Sequence, residues 1–449
     1  MKSTLFHHFY KFFKRLDPSA GELVWLSGAF VVQLSQEGHS CLPLADYANK
    51  RLFDDTVDLD TPNFIMPGLE EWQRVLVASR LVGAPDGAVT PLTLEAGARL
   101  YLSRNYDYET RLASEILKRV SRNGYTFDAV RPALGLLFQE VPENETDWQK
   151  VAVAAAALKK ICIISGGPGT GKTFTVVKII TLLKLLAPDK KMRFGLVAPT
   201  GKAASRLHES IQESVQKLPQ DISRLLDELP EAQTIHRLLG TKRHSPYFRH
   251  NKDNPLPLDV LIVDEVSMVD LAMMVKLLEA MPESGRVILL GDKDQLSSVE
   301  AGRVLADICE GAANTFSPGF AEQLDRAGAA RLNTLLVSSA AGAIVDCRVV
   351  LEKSYRFATS SAIGRLARNV LAGNVSEAST VLKDQNTLVE TVRFDIDQEH
   401  LSAQICTGFA AYLNEKTPIK ALAYLKSFRL LCAHRHGTWG VEQLNQWVD

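Results

Sequence analysis

The chain has no paired cysteines, no apolar run long enough for a bilayer and almost no net charge, and each absence narrows what it can be. Its six cysteines, at positions 41, 162, 309, 347, 406 and 432, are scattered without a CxxC pair. That excludes the usual zinc-ribbon and iron–sulfur spacings and points to reduced thiols in a cytosol. The longest apolar stretch, Val151 to Leu158, is closed by Lys159 and Lys160 and is too short to span a membrane. The N-terminus interleaves Phe6, Phe9, Tyr10, Phe12 and Phe13 with His7, His8, Lys11, Lys14 and Arg15, so it lacks the uninterrupted apolar core of an export signal. Its aromatic face is expected to pack on its own domain or on a partner rather than on lipid. With 51 Lys and Arg against 52 Asp and Glu, there is no global basic field, and contact with nucleic acid has to come from local clusters. No internal repeat is present.

What the chain does have is a glycine-rich loop, GGPGTGKT, from Gly166 to Thr173. It follows the apolar run Ile161–Ile164 and precedes Phe174-Thr175-Val176-Val177, the strand–turn–helix setting in which such a loop wraps phosphates. Gly166, Gly169 and Gly171 let the backbone bend so that successive N–H groups, from Gly167, Pro168's neighbours and Thr170 onward, face phosphate oxygens. Lys172 is expected to reach the β- and γ-phosphates, and Thr173 to place its hydroxyl on Mg²⁺.

Two further strand ends carry acidic or amide groups. The run Leu258–Val263 delivers Asp264 and Glu265, where Asp264 is expected to hold Mg²⁺ and Glu265 to orient an attacking water. The run Val287–Leu290 delivers Asp292, Asp294 and Gln295, and the neutral Gln295 suits a sensor of γ-phosphate. A GTPase reads guanine through Asn-Lys-x-Asp; the nearest approach, Asn251-Lys252-Asp253-Asn254, has Asn in the last position. Adenine is instead assigned to Gln149, whose amide pairs with both N6 and N7. ATP and Mg²⁺ are therefore the expected ligands.

Two segments read as contacts to single-stranded nucleic acid. APTGKAA, Ala198 to Ala204, puts Thr200, Gly201 and Lys202 at a strand end, where a hydroxyl, an N–H and an ammonium can hold phosphates. TIHRLLG, Thr234 to Gly240, supplies His236 and Arg237, followed by Lys242, Arg243, His244, Tyr247, Phe248, Arg249 and His250, a mixture suited to backbone tracking and base stacking.

The pattern predicts an α/β chain in three regions. Residues 1–125 read as a mainly helical docking domain with one short strand at Arg99–Leu102. Residues 126–345 read as a P-loop parallel sheet with flanking helices, with strands at 161–165, 194–198, 260–264 and 286–290. The Ser338–Gly342 stretch reads as a linker to a third region, 346–449, with a strand at Phe428–Ala433. Ligands of such sheets lie at the carboxyl ends of the strands.

In order, WQK, GGPGTGKT, APTGKAA, TIHRLLG, DEVSM, GDKDQLSSVEAG and KSYRF resemble the RecD family of superfamily 1 DNA helicases, the alpha subunits of exodeoxyribonuclease V. The resemblance implies an ATP-driven 5′ to 3′ translocase on single-stranded DNA, acting on duplex ends in recombinational double-strand break repair beside beta and gamma subunits. It implies that the first 125 residues dock on the gamma subunit. It also implies that Arg356, in KSYRF, crosses from a second motor domain to the γ-phosphate. The family's later motifs, a histidine-lysine-serine-glutamine-glycine stretch and a final threonine-arginine pair, are not found in the residues after KSYRF. The expectation is thus a truncated, incomplete second RecA-like domain and weak hydrolysis or translocation. The rival readings are a nucleotide-responsive clamp or scaffold subunit, and a nuclease, for which no separate carboxylate–lysine cluster is visible.

Overall fold

In the computed structural model, described for residues 2–51, 64–139, 142, 145–296, 298, 300–311, 314–339, 342–357, 361–383 and 398–448, the chain divides into two compact units, Met1–Ala358 and Thr359–Asp449. The first is organised around a six-stranded parallel sheet. Four short strands precede it: β1 (Cys41–Pro43), β2 (Val82–Gly83), β3 (Leu92–Glu95) and β4 (Arg99–Leu102), in the order β1-β4-β3-β2. The helix Lys2–Leu16 lies on Glu22–Gln36, with Phe6 and Phe13 buried among Val24, Phe30, Leu42 and Trp72. A Cβ on Gly28 would sit 2.7 Å from the Phe13 ring, so glycine is what lets these two helices close up. The aromatic face thus packs on its own region, and three strands join the single one expected there.

The main sheet comprises β5 (Ile161–Gly166), β6 (Phe194–Ala198), β7 (Gln233–Thr234), β8 (Val260–Val263), β9 (Arg286–Gly291) and β12 (Arg348–Leu351), in the order β12-β5-β9-β8-β6-β7. A separate parallel pair, β10 (Thr315–Phe316) and β11 (Leu336–Val337), lies between β9 and β12 in the chain. Both faces of the sheet are covered, so its strands are continuous apolar runs rather than alternating ones. Period two still sorts the side chains. Cys162, Ile164, Leu196, Ile262 and Ile288 enter the core beneath the helices Trp148–Leu158 and Lys172–Leu185. Ile161, Ile163, Val197, Leu261 and Leu289 enter the core beneath Leu271–Ala280. The alanine-rich run Val151–Leu158 is buried on every side, and its small side chains fit it between sheet and neighbouring helices.

Two expected borders move. Helix Ser103–Val120, inside the region read as a docking domain, sends Leu112, Ile116 and Val120 into the core under the sheet. Arg111 makes a two-pronged pair with Glu279 at 2.6 and 2.8 Å. The segment after residue 345, read as the start of a second domain, instead supplies β12, which pairs with β5 from Arg348↔Ile163 to Leu351↔Gly166. A strand pairs where its backbone groups find a ladder, and an exposed edge of β5 offers one. Ser338–Gly342 therefore joins two parts of one unit.

Among its described residues the second unit's regular structure is all helical, with helices Ala362–Leu371, Val375–Lys383, Gln398–Asn414, Pro418–Leu425 and Val441–Val448. The strand expected at Phe428–Ala433 is irregular chain. No strand is available among the described residues of this unit to pair with it, and an unpaired ladder has no reason to form.

Arg119 ties the first helix layer to the sheet. It is 1% exposed, bonds the Glu115 carboxylate at 2.6 Å, and donates to the carbonyls of Leu278 and Met281 at 3.0 and 3.1 Å, satisfying the end of helix Leu271–Ala280. Removing one partner of a buried pair leaves the other uncompensated. Arg119→Ala should cost about 3–5 kcal/mol, read as a lower urea midpoint at unchanged slope; a loss below about 1 kcal/mol would show the tie to be dispensable.

Candidate nucleotide site

The P-loop is shaped by what its glycines permit. Gly169 and Gly171 have φ of +76° and +81°, left-handed values that other residues adopt at a cost. Gly171 opens helix Lys172–Leu185 with no side chain bonded to its first N–H groups. By contrast, Thr200, Thr234 and Asp270 cap the helices that follow β6, β7 and β8. The P-loop helix therefore presents free donors and the positive end of its dipole to the cavity. Lys172 Nζ reaches back over the loop to donate to Gly166 O at 2.6 Å and Gly167 O at 3.3 Å.

A cavity of about 560 Å³ opens over this loop. Pro168, Gly169, Thr170, Gly171, Lys172 and Thr173 line one side, and Asp264, Glu265, Gln295 and Arg356 the others. The sheet register explains the gathering: Ser165 pairs with Gly291, and Val263 with Leu289, so β5, β9 and β8 end side by side. Lys293 N–H donates to Ser165 Oγ at 3.3 Å, and Gln295 Nε2 to Asp292 Oδ2 at 3.1 Å.

Asp264 is half-buried as a residue but its carboxyl is withdrawn from solvent, and that desolvation, reinforced by the neighbouring Glu265 charge, pushes the carboxyl up to about 6 against the opposing pull of Lys172 and Arg206. Glu265 has φ +53°, a left-handed conformation that costs a non-glycine residue about 1–2 kcal/mol. Asp264 Oδ1, Glu265 Oε2 and Ser267 Oγ are buried with no hydrogen-bond partner. Buried polar atoms rarely stay unsatisfied without a functional reason. Two carboxylate oxygens and two hydroxyls, those of Ser267 and Thr173, are hard oxygen donors of the kind that suits a partly hydrated Mg²⁺.

Gln149 takes a different place. It is buried at the start of helix Trp148–Leu158, where Asp147 Oδ1 accepts from its N–H, and its Nε2 donates to Thr170 O at 3.0 Å. It borders a separate cavity of about 170 Å³ with Asp147, Thr170, Lys353 and Tyr355. Its side chain thus braces the P-loop from behind while lining a pocket next to it.

Arg356 departs from the expected placement. It lies in the same compact unit as the P-loop, so it does not reach the cavity from the second unit. Four residues after Leu351, which β12 pairs with Gly166, Tyr355 N–H donates to Gly169 O at 2.8 Å. The chain lies so close that a Cβ on Gly169 would be 2.3 Å from Arg356 Cβ.

Sequence reasoning missed three groups here: Arg206, which lines the cavity, the orphaned Ser267 hydroxyl, and Ser354. Only Arg206 left a signal, since Ala203, Arg206, Leu207 and Ser210 follow helical spacing on helix Gly201–Gln216 and share the cavity-facing side.

The nucleic-acid candidates form a neighbouring rim. Ala198 pairs with Thr234, which brings the Thr200 and His236 loops together. Thr200 Oγ1 accepts from Ala203 N–H at 3.2 Å, so its hydroxyl caps a helix; Lys202 and His236 are exposed. The His236 ring meets Phe248 edge-on at 5.7 Å, and Tyr247 stands 72% exposed beside it.

An all-parallel sheet with a P-loop, a paired acidic strand end and an arginine on one cavity defines the P-loop NTPase fold of RecA-like build. A model of the N-terminal domain of RecBCD enzyme subunit RecD matches residues 3–101, and an AAA domain model matches 149–301. The RecBCD enzyme subunit RecD of Mycolicibacterium smegmatis is 35% identical over 442 residues, covering 96% of this chain and 69% of that one. That of Haemophilus influenzae is 36% identical over 359 residues, 76% of this chain and 55% of its own length. The ATP-dependent RecD2 DNA helicase of Deinococcus radiodurans is 42% identical over 306 residues, 67% of this chain and 37% of its length. The chain belongs to the RecD family. It spans just over half the length of the Haemophilus relative, and among the described residues no helix is long and apolar enough to cross a membrane.

The buried Asp264 carboxylate makes a testable mark on stability. Between its ordinary value of 3.8 and about 6, the folded chain binds more protons than the unfolded one, so stability falls as pH rises through that window. Asp264→Asn removes the penalty, and at pH 8 the variant should be more stable by on the order of 2–3 kcal/mol. The gap should close as the pH is lowered to 4; a gap that does not change with pH would contradict this account.

Proposed function

We propose that this chain is the ATP-driven DNA motor subunit of a heterotrimeric exodeoxyribonuclease V, moving 5′ to 3′ along single-stranded DNA during recombinational repair of double-strand breaks in the cytoplasm. The observation that carries the reading is the convergence of Lys172, Asp264, Glu265, Gln295 and Arg356 on one cavity over an uncapped helix N-terminus. In support, relatives over most of the chain are named RecBCD enzyme subunit RecD, and another is named an ATP-dependent DNA helicase.

In this reading the loop N–H groups from Gly167 to Thr173 and the Lys172 ammonium hold the phosphate tail, and Lys172 exchanges its bonds to Gly166 O and Gly167 O for phosphate oxygens. Thr173 and Asp264 would hold Mg²⁺, which would offset charge on the phosphates. Glu265 orients and deprotonates the attacking water, its left-handed backbone and orphaned oxygen leaving it poised for that bond. Arg356 meets the charge that builds on the transferred phosphoryl group. Gln149 presents its amide to adenine in the adjoining pocket. Gln295 reports the γ-phosphate towards Thr200, Lys202 and His236, the strand-holding rim. Residues 1–125 dock on the gamma subunit, and the beta subunit completes the assembly at duplex ends.

The test is ATP hydrolysis by this chain with and without single-stranded DNA. DNA should raise turnover, Lys172→Gln should abolish it, and Glu265→Gln should lower it by about 10²–10⁴ while ATP still binds. Turnover that survives both substitutions would refute the site assignment. ATP binding with no turnover that DNA stimulates would move the reading to a nucleotide-responsive clamp.

A further inference from the structure

Between β12 and Arg356 lies a serine with two engagements. Ser354 Oγ donates to Pro168 O of the P-loop at 3.2 Å and accepts from the N–H of Phe357 at 3.3 Å. The second bond folds residues 354–357 into a turn around Arg356, and the first fastens that turn to the loop. Tyr355 N–H, donating to Gly169 O at 2.8 Å, makes a second fastening one residue along. Among the described residues the Arg356 side chain is exposed and makes no hydrogen bond or ion pair, so nothing at its own tip fixes where it points. Its aim is set by its backbone.

We propose that Ser354 is a positioning residue for Arg356: by joining Pro168 O and Phe357 N–H through one hydroxyl, it holds the arginine's turn on the P-loop and so directs the guanidinium into the phosphate end of the cavity. Alanine loses both bonds, whereas threonine keeps a hydroxyl able to donate and accept at once. Because the anchor is a carbonyl of the phosphate-binding loop, a shift of that loop on nucleotide binding carries the arginine with it. The proposal rests on the reading of this cavity as an ATP site.

The experiment measures equilibrium binding of fluorescently labelled ADP with Mg²⁺, with and without aluminium fluoride, which mimics the transferred phosphoryl group. The unmodified chain should bind the fluoride complex more tightly than ADP alone, and Arg356→Ala should lose that preference. Ser354→Ala should reduce the preference about tenfold, as expected for two lost hydrogen bonds, and change ADP affinity by no more than about twofold, within the error of a single weak contact. Ser354→Thr should restore it. In an Arg356→Ala background, Ser354→Ala should add nothing, since residues acting as one unit are not additive. The proposal is overturned if Ser354→Ala keeps the preference, if it weakens the Arg356→Ala variant further, or if Arg356→Ala itself has no effect. Failure of the ATP-site reading is a separate result: no binding of ADP, or binding that Lys172→Gln leaves intact.

Discussion

The site depends on one constraint, that strands β5, β9 and β8 run parallel and in register. Hydrogen-bonded neighbours lie about 4.8 Å apart, so three chain segments that are distant in sequence leave the sheet within about 10 Å of one another. Ser165, Gly291 and Val263 are the points of exit. Burial on both faces fixes that register, because a one-residue slip would exchange Ile161 and Ile163 with Cys162 and Ile164 between two cores that are already filled. Packing far from the cavity therefore sets where Lys172, Asp264 and Gln295 stand relative to each other.

That gathering comes at an energetic cost. Asp264 is held in a setting that disfavours its charge, Glu265 in a left-handed backbone, and three polar atoms have no partner. Each is a few kcal/mol at most, and none is relieved by the chain's own groups. Such costs persist where the surroundings over-determine them. Here the surroundings are the fully buried β8 and the capped helix Leu271–Ala280, whose Asp270 Oδ1 accepts from Met273 N–H at 2.8 Å. A ligand that brings a cation and water would satisfy several of these groups together, so the strain and the vacancy of partners point to the same chemistry.

Much of this was legible in the sequence because a strand buried on both faces is written as an unbroken apolar run. β5, β6, β8 and β9 fall on the four runs expected, and the groups that follow each strand share one cavity or its rim. What was not legible was whatever depends on partner choice. β12 reads Arg-Val-Val-Leu, four residues that fit any sheet, and only the open edge of β5 decides that it belongs with the first unit. The short strands of the N-terminal region are two to four residues long, too short for alternation to be informative. At Phe428–Ala433 the apolar run is present but no ladder is there for it, and propensity alone does not make a strand. Gln149 was legible as a residue of the site, yet its bond to Thr170 O was not, because a bond across a turn leaves no periodic trace.

The position of Arg356 follows from the same edge strand. β12 is parallel to β5 and ends level with it, Leu351 beside Gly166, so the chain leaving β12 has to pass over the loop that leaves β5. The distance is short and the glycine at 169 removes the one side chain that would hold the two segments apart. An arginine five residues beyond the strand end is thereby brought to the phosphate side of the cavity. The bonds from Tyr355 N–H to Gly169 O and from Ser354 Oγ to Pro168 O are where a change in the P-loop enters its backbone. In the proposed reading, a shift of the P-loop on nucleotide binding would enter the chain first at the loop's own carbonyls, those of Pro168 and Gly169.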